Sequence, residues 1–464
     1  MGSAFAHSNN EINISAVIRL GFLFNLFADP DIIRLPPPLS PLQAAIALFI
    51  SKRRAPKSRE AYESIGGGSP ILKYSNEQAN LLSQRLKEEY DLPVKTYIGM
   101  RYWHPFTEEA LAKIRSDGIE ALVIVPLYPQ FSISTSGSSL RVLQEEFSRN
   151  SNKYSDMVHT VIPSWYQRPG YVKAVTDLIR QELDSFTAEE VAEANEAAPD
   201  KAPLHVLFSA HGVPQSYIEA GDPYQRQIEE SVERITDELR KTHPEKKVEV
   251  HLSYQSRVGP IEWLRPYTDD VLPELGESGV RNLVVVPISF VSEHIETLEE
   301  IDIEYRELAQ EHGVTNWRRS PALNTDPSFI NDMADMVFEA LNEPAQTVTE
   351  ACVANNVDNV DLATPLDDET VGVGATGVGG VGADAPLFAT SSPPSTKSIT
   401  ARRNMSPSSA IASRTRQQRL KLRSEANPPA QWLRTAKTVA PMVVVGAAMV
   451  ALSGPISAAQ WPGM

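Results

Sequence analysis

Gly118-Ile-Glu-Ala-Leu-Val-Ile-Val-Pro126 returns 161 residues later as Gly279-Val-Arg-Asn-Leu-Val-Val-Val-Pro287, and this pair decides the fold class. In each copy the glycine is suited to end a helix, the apolar run to form a strand buried on both faces, and the proline to stop it at its carboxyl edge. From Leu42 to Leu341 helical patterns alternate with further apolar runs such as Leu204 to Ser209. Helices between buried strands predict an α/β architecture: two similar lobes, each built on a parallel sheet. Open parallel sheets bind ligands at the carboxyl edge of their strands. The segments after the two prolines, Leu127 to Ser139 and Ile288 to Thr297, are therefore where chemistry is expected.

Composition narrows the chemistry. The 464 residues carry a formal charge of −16; residues 346 to 464 hold +2, which leaves −18 on residues 1 to 345. An acidic body disfavours nucleic acid as a partner, because phosphate contacts need a basic face, and is compatible with drawing in cations. The single cysteine, Cys352, leaves no internal disulfide and no all-cysteine iron–sulfur cluster, so metal chemistry falls to oxygen and nitrogen ligands. The opening MGSAFAHSNNEINIS has neither the basic, Ser-rich character of a transit peptide nor the apolar core of a secretory signal.

Beyond Glu343-Pro344 the character changes. Residues 345 to 430 combine a Gly/Val tract with a Ser/Pro/Arg-rich stretch and lack core-forming periodicity, which predicts a disordered, low-complexity linker. Ten basic residues and one acid, Glu425, lie between Lys397 and Lys437, and no charge follows Lys437. Val439 to Ala459 is 21 residues of mostly apolar sequence, close to the ~20 of a spanning helix. Residues 431 to 464 are thus expected to form a C-terminal apolar, membrane-inserted helix, with the basic run on the side of the enzyme body.

Two constellations carry the chemistry. Leu207-Phe-Ser-Ala-His211-Gly-Val-Pro214 runs a strand into a small-residue turn and puts an imidazole at the carboxyl edge, where it can accept a proton or coordinate a borderline metal. Glu296, Glu300 and Glu304 follow at i, i+4 and i+8, three carboxylates on one helical face. Their mutual repulsion calls for compensation, which a hydrated divalent cation would supply. Elsewhere, Arg101 and the Ser/Thr cluster before Gly137 are suited to holding carboxylates, and Tyr102, Trp103, Tyr128 and Phe131 to stacking on a flat aromatic ligand.

Taken in order, eight strings resemble the ferrochelatases over about Phe22 to Phe338: Phe22 to Pro30, Tyr62 to Ile71, Gly99-Met-Arg-Tyr-Trp-His-Pro105, Tyr128-Pro-Gln130 with Ser136-Gly-Ser-Ser139, Ser209 to Pro214, Gly221-Asp-Pro-Tyr224, Tyr254 to Pro260, and Ser292-Glu-His-Ile-Glu-Thr-Leu298. The resemblance implies two Rossmann-like chelatase lobes, residues 1–160 and 161–344, around a porphyrin cleft. It implies insertion of Fe²⁺ into protoporphyrin IX to give protohaem in a plastid, with Fe²⁺ as substrate and no permanently bound cofactor. His211 and Glu296 would be catalytic and, with Glu300 and Glu304, metal-binding. Arg101, Tyr102, Tyr128, Ser136, Tyr224, Trp263 and His294 would line or support the porphyrin site.

Two departures stand out. Where ferrochelatases open with a buried strand and a Gly-Gly-Pro turn, residues 11 to 21 read EINISAVIRLG, and the tail lacks the chlorophyll-ligating motif of many plastid relatives. The competing expectations are a chelatase for another metal such as cobalt, and a catalytically impaired, membrane-tethered porphyrin or haem carrier.

Overall fold

Both copies of the repeated stretch are interior strands. The computed structural model describes residues 16–357, apart from 31, 34, 36, 155, 156, 258–260, 344, 345 and 356, together with residues 439–445. Its strands in chain order are β1 (Tyr97–Met100), β2 (Ala121–Pro126), β3 (Val158–Val161), β4 (Leu204–His211), β5 (Val248–Gln255), β6 (Asn282–Pro287), β7 (Asn316–Arg319) and β8 (Val439–Val445). One four-stranded sheet runs β1-β8-β2-β3 and the other β5-β4-β6-β7, with every pair parallel. The repeated strands β2 and β6 are buried at every position. Gly118 (φ 69°) and Gly279 (φ 96°) stand in the left-handed region after the helices Thr107–Ser116 and Thr268–Glu277, where a side chain would be strained.

The repeat extends further than the strings that reveal it. After β2 the chain enters a short π-helix, Ile133–Gly137, and after β6 a longer one, Glu296–Tyr305. Such i→i+5 turns concentrate at functional sites, and both follow the carboxyl edges singled out above.

A shared core of buried side chains, including Leu82, Val123, Val206, Phe208, Val284 and Val337, runs through both lobes. The helix Pro327–Asn342 crosses back to pack on Ile71–Tyr90, with Tyr90 stacked on Phe338 at 4.0 Å between ring centroids. Gln78 of that first-lobe helix donates to Ser292 Oγ (2.9 Å) and Asn324 O (2.8 Å) of the second.

A second clamp is Asp222, in the Gly221-Asp-Pro-Tyr224 string. Its buried carboxylate accepts from Ser132 Oγ and Ile133 N, both at 2.8 Å, and from Tyr224 N at 3.0 Å. Burial pushes the carboxyl up to about 6, against the pull of those donors. A carboxyl whose native pKa lies above its unfolded value holds its proton more tightly when folded. Its contribution, about 3 kcal/mol, is therefore full below pH ~4 and lost as pH rises to about 6. Melting curves across pH 4 to 6 should show that fall, and Asp222→Asn should flatten it; equal slopes in both proteins would refute the assignment.

Two expectations about the C-terminal third are corrected. Residues 348 to 354, read as linker, form the helix Val348–Ala354, opened by a Thr347/Glu350 capping box; Val348, Ala351, Cys352 and Val357 join the first lobe's core. Local composition misses this because so short a helix is stabilised by the apolar face it finds in the fold. The remaining linker, including residues 364 to 428, lies outside the described residues.

The expected apolar helix is a strand where it begins. Met442 and Val443 register with Tyr97 and Ile98 of β1, and also with Ile124 and Val125 of β2, so β8 is the wedge that joins the two. β-branched Val439, Val443, Val444 and Val445 favour that pairing, whereas Pro441 brings no N–H to the ladder and weakens it. Residues 446 to 464, the rest of the expected apolar helix, lie outside the described residues. Among the described residues no helix is long and apolar enough to cross a membrane.

Candidate active site

His211 ends β4 and Glu296 begins the second π-helix, and their side chains meet: Nδ1 of His211 lies 3.0 Å from Oε2 of Glu296. Both are buried, at 6% and 0% exposure. A carboxylate at this position accepts the Nδ1–H, which fixes the tautomer and leaves Nε2 with its lone pair as base or ligand. The backbone of His211 is held as well, its N–H donating to Ser289 Oγ (3.0 Å) and its carbonyl accepting from Tyr224 Oη (2.8 Å). Next to it, a Cβ on Gly212 would stand 2.8 Å from the Gln255 carbonyl oxygen and 3.2 Å from the Trp263 ring; only glycine allows β5 and Trp263 to close here.

Tyr128, Gln130, Ser132, Thr135, His211, Val213, Tyr224, Ser289 and Phe290 line a recess from both lobes. Its enclosed part is about 20 Å³, room for a water or a single metal ion. Oε1 of Glu296 is buried without a hydrogen-bond partner among the described residues, as is Oε2 of Glu299. An orphaned buried carboxylate oxygen is costly, and the one on Glu296, beside His211, points to a ligand.

The three-carboxylate row is graded. Glu296 is sealed, Glu300 is 2% exposed, and Glu304 is partly exposed, 3.6 Å from Lys57. Burial first, then the neighbouring charge of Glu296, raises the Glu300 carboxyl above the ordinary range. Burial and the charge of Glu304 push Glu299 up to about 7. Glu299, Ser289, Ser256 and Tyr305 are site residues that the sequence did not mark as such; the Tyr254-Gln-Ser-Arg string held a signal for Ser256, whereas the π-helix that brings in Glu299 and Tyr305 is visible only in the fold.

Other expected site residues are placed differently. Arg101 does not stand free for a ligand carboxylate: it is paired with Asp29 (2.5 Å) and donates to Ser138 Oγ (3.0 Å). Tyr102, 3% exposed, donates to the same Asp29 at 2.8 Å, so it packs as core rather than as a stacking face. Ser136 is fully buried and its hydroxyl finds no partner among the described residues. Trp263 is buried and bridges to Pro214, supporting the site from behind, whereas Tyr224 lines the recess and also orients His211 through its backbone. His294 is buried on Phe290, 4.4 Å between ring centroids, with its imidazole held below its usual range by burial. Tyr128 keeps its place on the wall; burial and then the charge of Glu296 raise its phenol.

At the amino edge of the second sheet His205, Glu249 and His251 gather within 4.8 Å. Nδ1 of His205 faces Nε2 of His251 at 2.9 Å, with ring centroids 5.2 Å apart and planes 11° off parallel. Those numbers describe two rings edge to edge along one line, an N–H···N bond rather than lone pairs converging on a metal.

A two-lobed α/β protein whose buried His–Glu pair stands at the carboxyl edge of a parallel sheet, followed by a graded row of carboxylates, belongs to the class that binds its ligand at that edge. Residues 16–341 match the ferrochelatase family model, and the chain belongs to that family. It is 57% identical over 323 residues to ferrochelatase-2, chloroplastic, of Arabidopsis thaliana, covering 69% of this chain and 60% of that one. To the ferrochelatase of Trichodesmium erythraeum (strain IMS101) it is 55% identical over 331 residues, covering 71% of this chain and 80% of that one. The chain thus spans under two thirds of the length of its plant relative. A solved structure of SirB from Bacillus subtilis with Fe³⁺ aligns at 19% identity and a TM-score of 0.40, over 59% of this chain and 91% of that one.

Proposed function

We propose that this chain inserts Fe²⁺ into protoporphyrin IX to give protohaem, as a ferrochelatase of the plastid type, the last step of haem biosynthesis. The observation that carries the reading is the buried His211–Glu296 pair, whose His211 lines a recess with residues of both lobes. The enclosed part of that recess holds little more than an ion, so the macrocycle would lie against it with its centre towards His211. Metal entry releases two pyrrole protons, and the ring must bend for its nitrogens to be reached, so a site that fits the bent ring accelerates the reaction. His211 Nε2 takes a proton or holds the metal, Glu296 stabilises the imidazolium that results, and the row through Glu300 to Glu304 passes Fe²⁺ in or protons out. Tyr128 offers an aromatic wall; Tyr224, Trp263 and His294 hold that frame in place.

No permanently bound cofactor enters this scheme, and Fe²⁺ is a substrate. Plastid placement of this chain is supported by its likeness to chloroplastic relatives. Val439–Val445 pair as a strand, so any attachment of this chain to a plastid membrane would fall to the tail residues beyond them. The test is anaerobic incubation of the full chain with protoporphyrin IX and either Fe²⁺ or Co²⁺, followed by absorbance. Protohaem formation is expected. Porphyrin binding without insertion of either metal would replace the enzyme with a carrier, and insertion of Co²⁺ alone would reassign the substrate.

A further inference from the structure

Glu300 occupies the middle of the carboxylate row and is held by neutral donors. Ser256 Oγ lies 2.8 Å from one of its oxygens and 3.0 Å from the other, Tyr305 Oη donates to Oε1 at 2.9 Å, and Gln255 Nε2 reaches Oε2 at 3.3 Å. The Gln255 amide is itself oriented from inside the sheet, its Oε1 accepting from Ser209 Oγ at 2.7 Å. Ser256 follows β5 directly and has φ 65°, the left-handed region, which costs a non-glycine residue on the order of 1 kcal/mol. The hydroxyl is delivered to Glu300 at the expense of backbone strain.

The position of that hydroxyl matters. Standing nearly equidistant from both carboxylate oxygens, it fills the notch that a divalent cation occupies when a carboxylate binds it in bidentate fashion. Tyr305 draws electron density from one of the same oxygens. We propose that Ser256 and Tyr305 are positioning residues that confine Glu300 to weak, one-oxygen ligation, so that the divalent cation is handed on towards His211 instead of being trapped. A relay must bind its cargo loosely at each stage. Without these donors Glu300, already buried beside Glu296, would close on the cation with both oxygens. This inference rests on the reading of the row as a path for Fe²⁺.

Ser256→Gly provides a clean test, because glycine accepts the left-handed backbone and only the hydroxyl is removed. The full chain and its Ser256→Gly, Tyr305→Phe and Ser256→Asn variants would be compared in two measurements. In titration calorimetry with Co²⁺ and no porphyrin, Ser256→Gly and Tyr305→Phe should bind roughly 10-fold more tightly than the parent, comparable in size but opposite in sign to the usual loss when an outer-shell partner is removed. Adding Glu300→Gln to Ser256→Gly should abolish that gain. In turnover, the same two variants should lower KM for Fe²⁺ and kcat together while KM for porphyrin stays put. Ser256→Asn, which tolerates the backbone and restores a donor, should return both towards the parent. Unchanged Co²⁺ affinity in Ser256→Gly, or a gain that survives Glu300→Gln, overturns the proposal. Equal shifts in both KM values also overturn it, since they mark a structural effect. Should the parent chain fail to insert iron at all, the functional reading falls, and the calorimetry still decides the role of Ser256.

Discussion

His211→Ala is expected to lower protohaem formation by roughly 10³-fold or more while leaving the fold intact. General-base catalysis alone contributes 10²–10⁴-fold, and His211 Nε2 is the imidazole nitrogen left available in the recess once Nδ1 is committed to Glu296. The side chain is buried at the end of a central strand, so its loss opens a small polar void rather than unravelling the sheet. Glu296→Gln should be nearly as damaging: an amide oxygen still accepts the Nδ1–H but brings no charge to stabilise an imidazolium. Because the two act as a unit, the double variant should be little worse than either single one. The measurement is anaerobic turnover with protoporphyrin IX and Fe²⁺, paired with a melting curve for each variant. More than a tenth of parental activity in His211→Ala would remove the imidazole from the mechanism.

Ending the chain after Ala436 is expected to destroy cooperative folding of the first lobe, or to lower its melting temperature by more than about 10 °C. β8 pairs on one side with four residues of β1 and on the other with six of β2, and β1 and β2 have no ladder to each other. Removing it leaves two edges of an interior sheet without partners, and buried backbone groups that lose their hydrogen bonds cost about 1–3 kcal/mol each. Supplying residues 437 to 447 as a peptide should restore part of the transition, since strand addition draws its affinity from main-chain bonds. An anchor reading of the same segment makes the opposite forecast: unchanged melting of the body and loss of membrane association only. An unaltered melting curve would therefore return the segment to the membrane.

The site combines features of unequal visibility. The His211–Glu296 contact was legible because His211 ends one strand and Glu296 follows another whose sequence announces itself, and parallel strands deliver their ends to one edge. Arg101 shows the limit: an arginine beside aromatic residues reads as an anion holder, yet its partner Asp29 lies 72 residues away and was not deducible from spacing. Asp222 is comparable, since the Ser132 hydroxyl and Ile133 N–H that it accepts from belong to the other lobe.

By itself the sequence determined the class of fold, through a strand written twice with glycine before it and proline after it, and the identity of the central imidazole and carboxylate. Hydrophobic period and turn residues are local signals, and they state which segments are buried. They do not state beside what. Tertiary structure alone decided that Val439–Val445 enters the first sheet, that both repeats continue into π-helices, and that Ser256 and Tyr305 converge on Glu300. A buried apolar run is equally content in lipid or between two strands; only the slot between β1 and β2, with its unpaired backbone groups, distinguishes them.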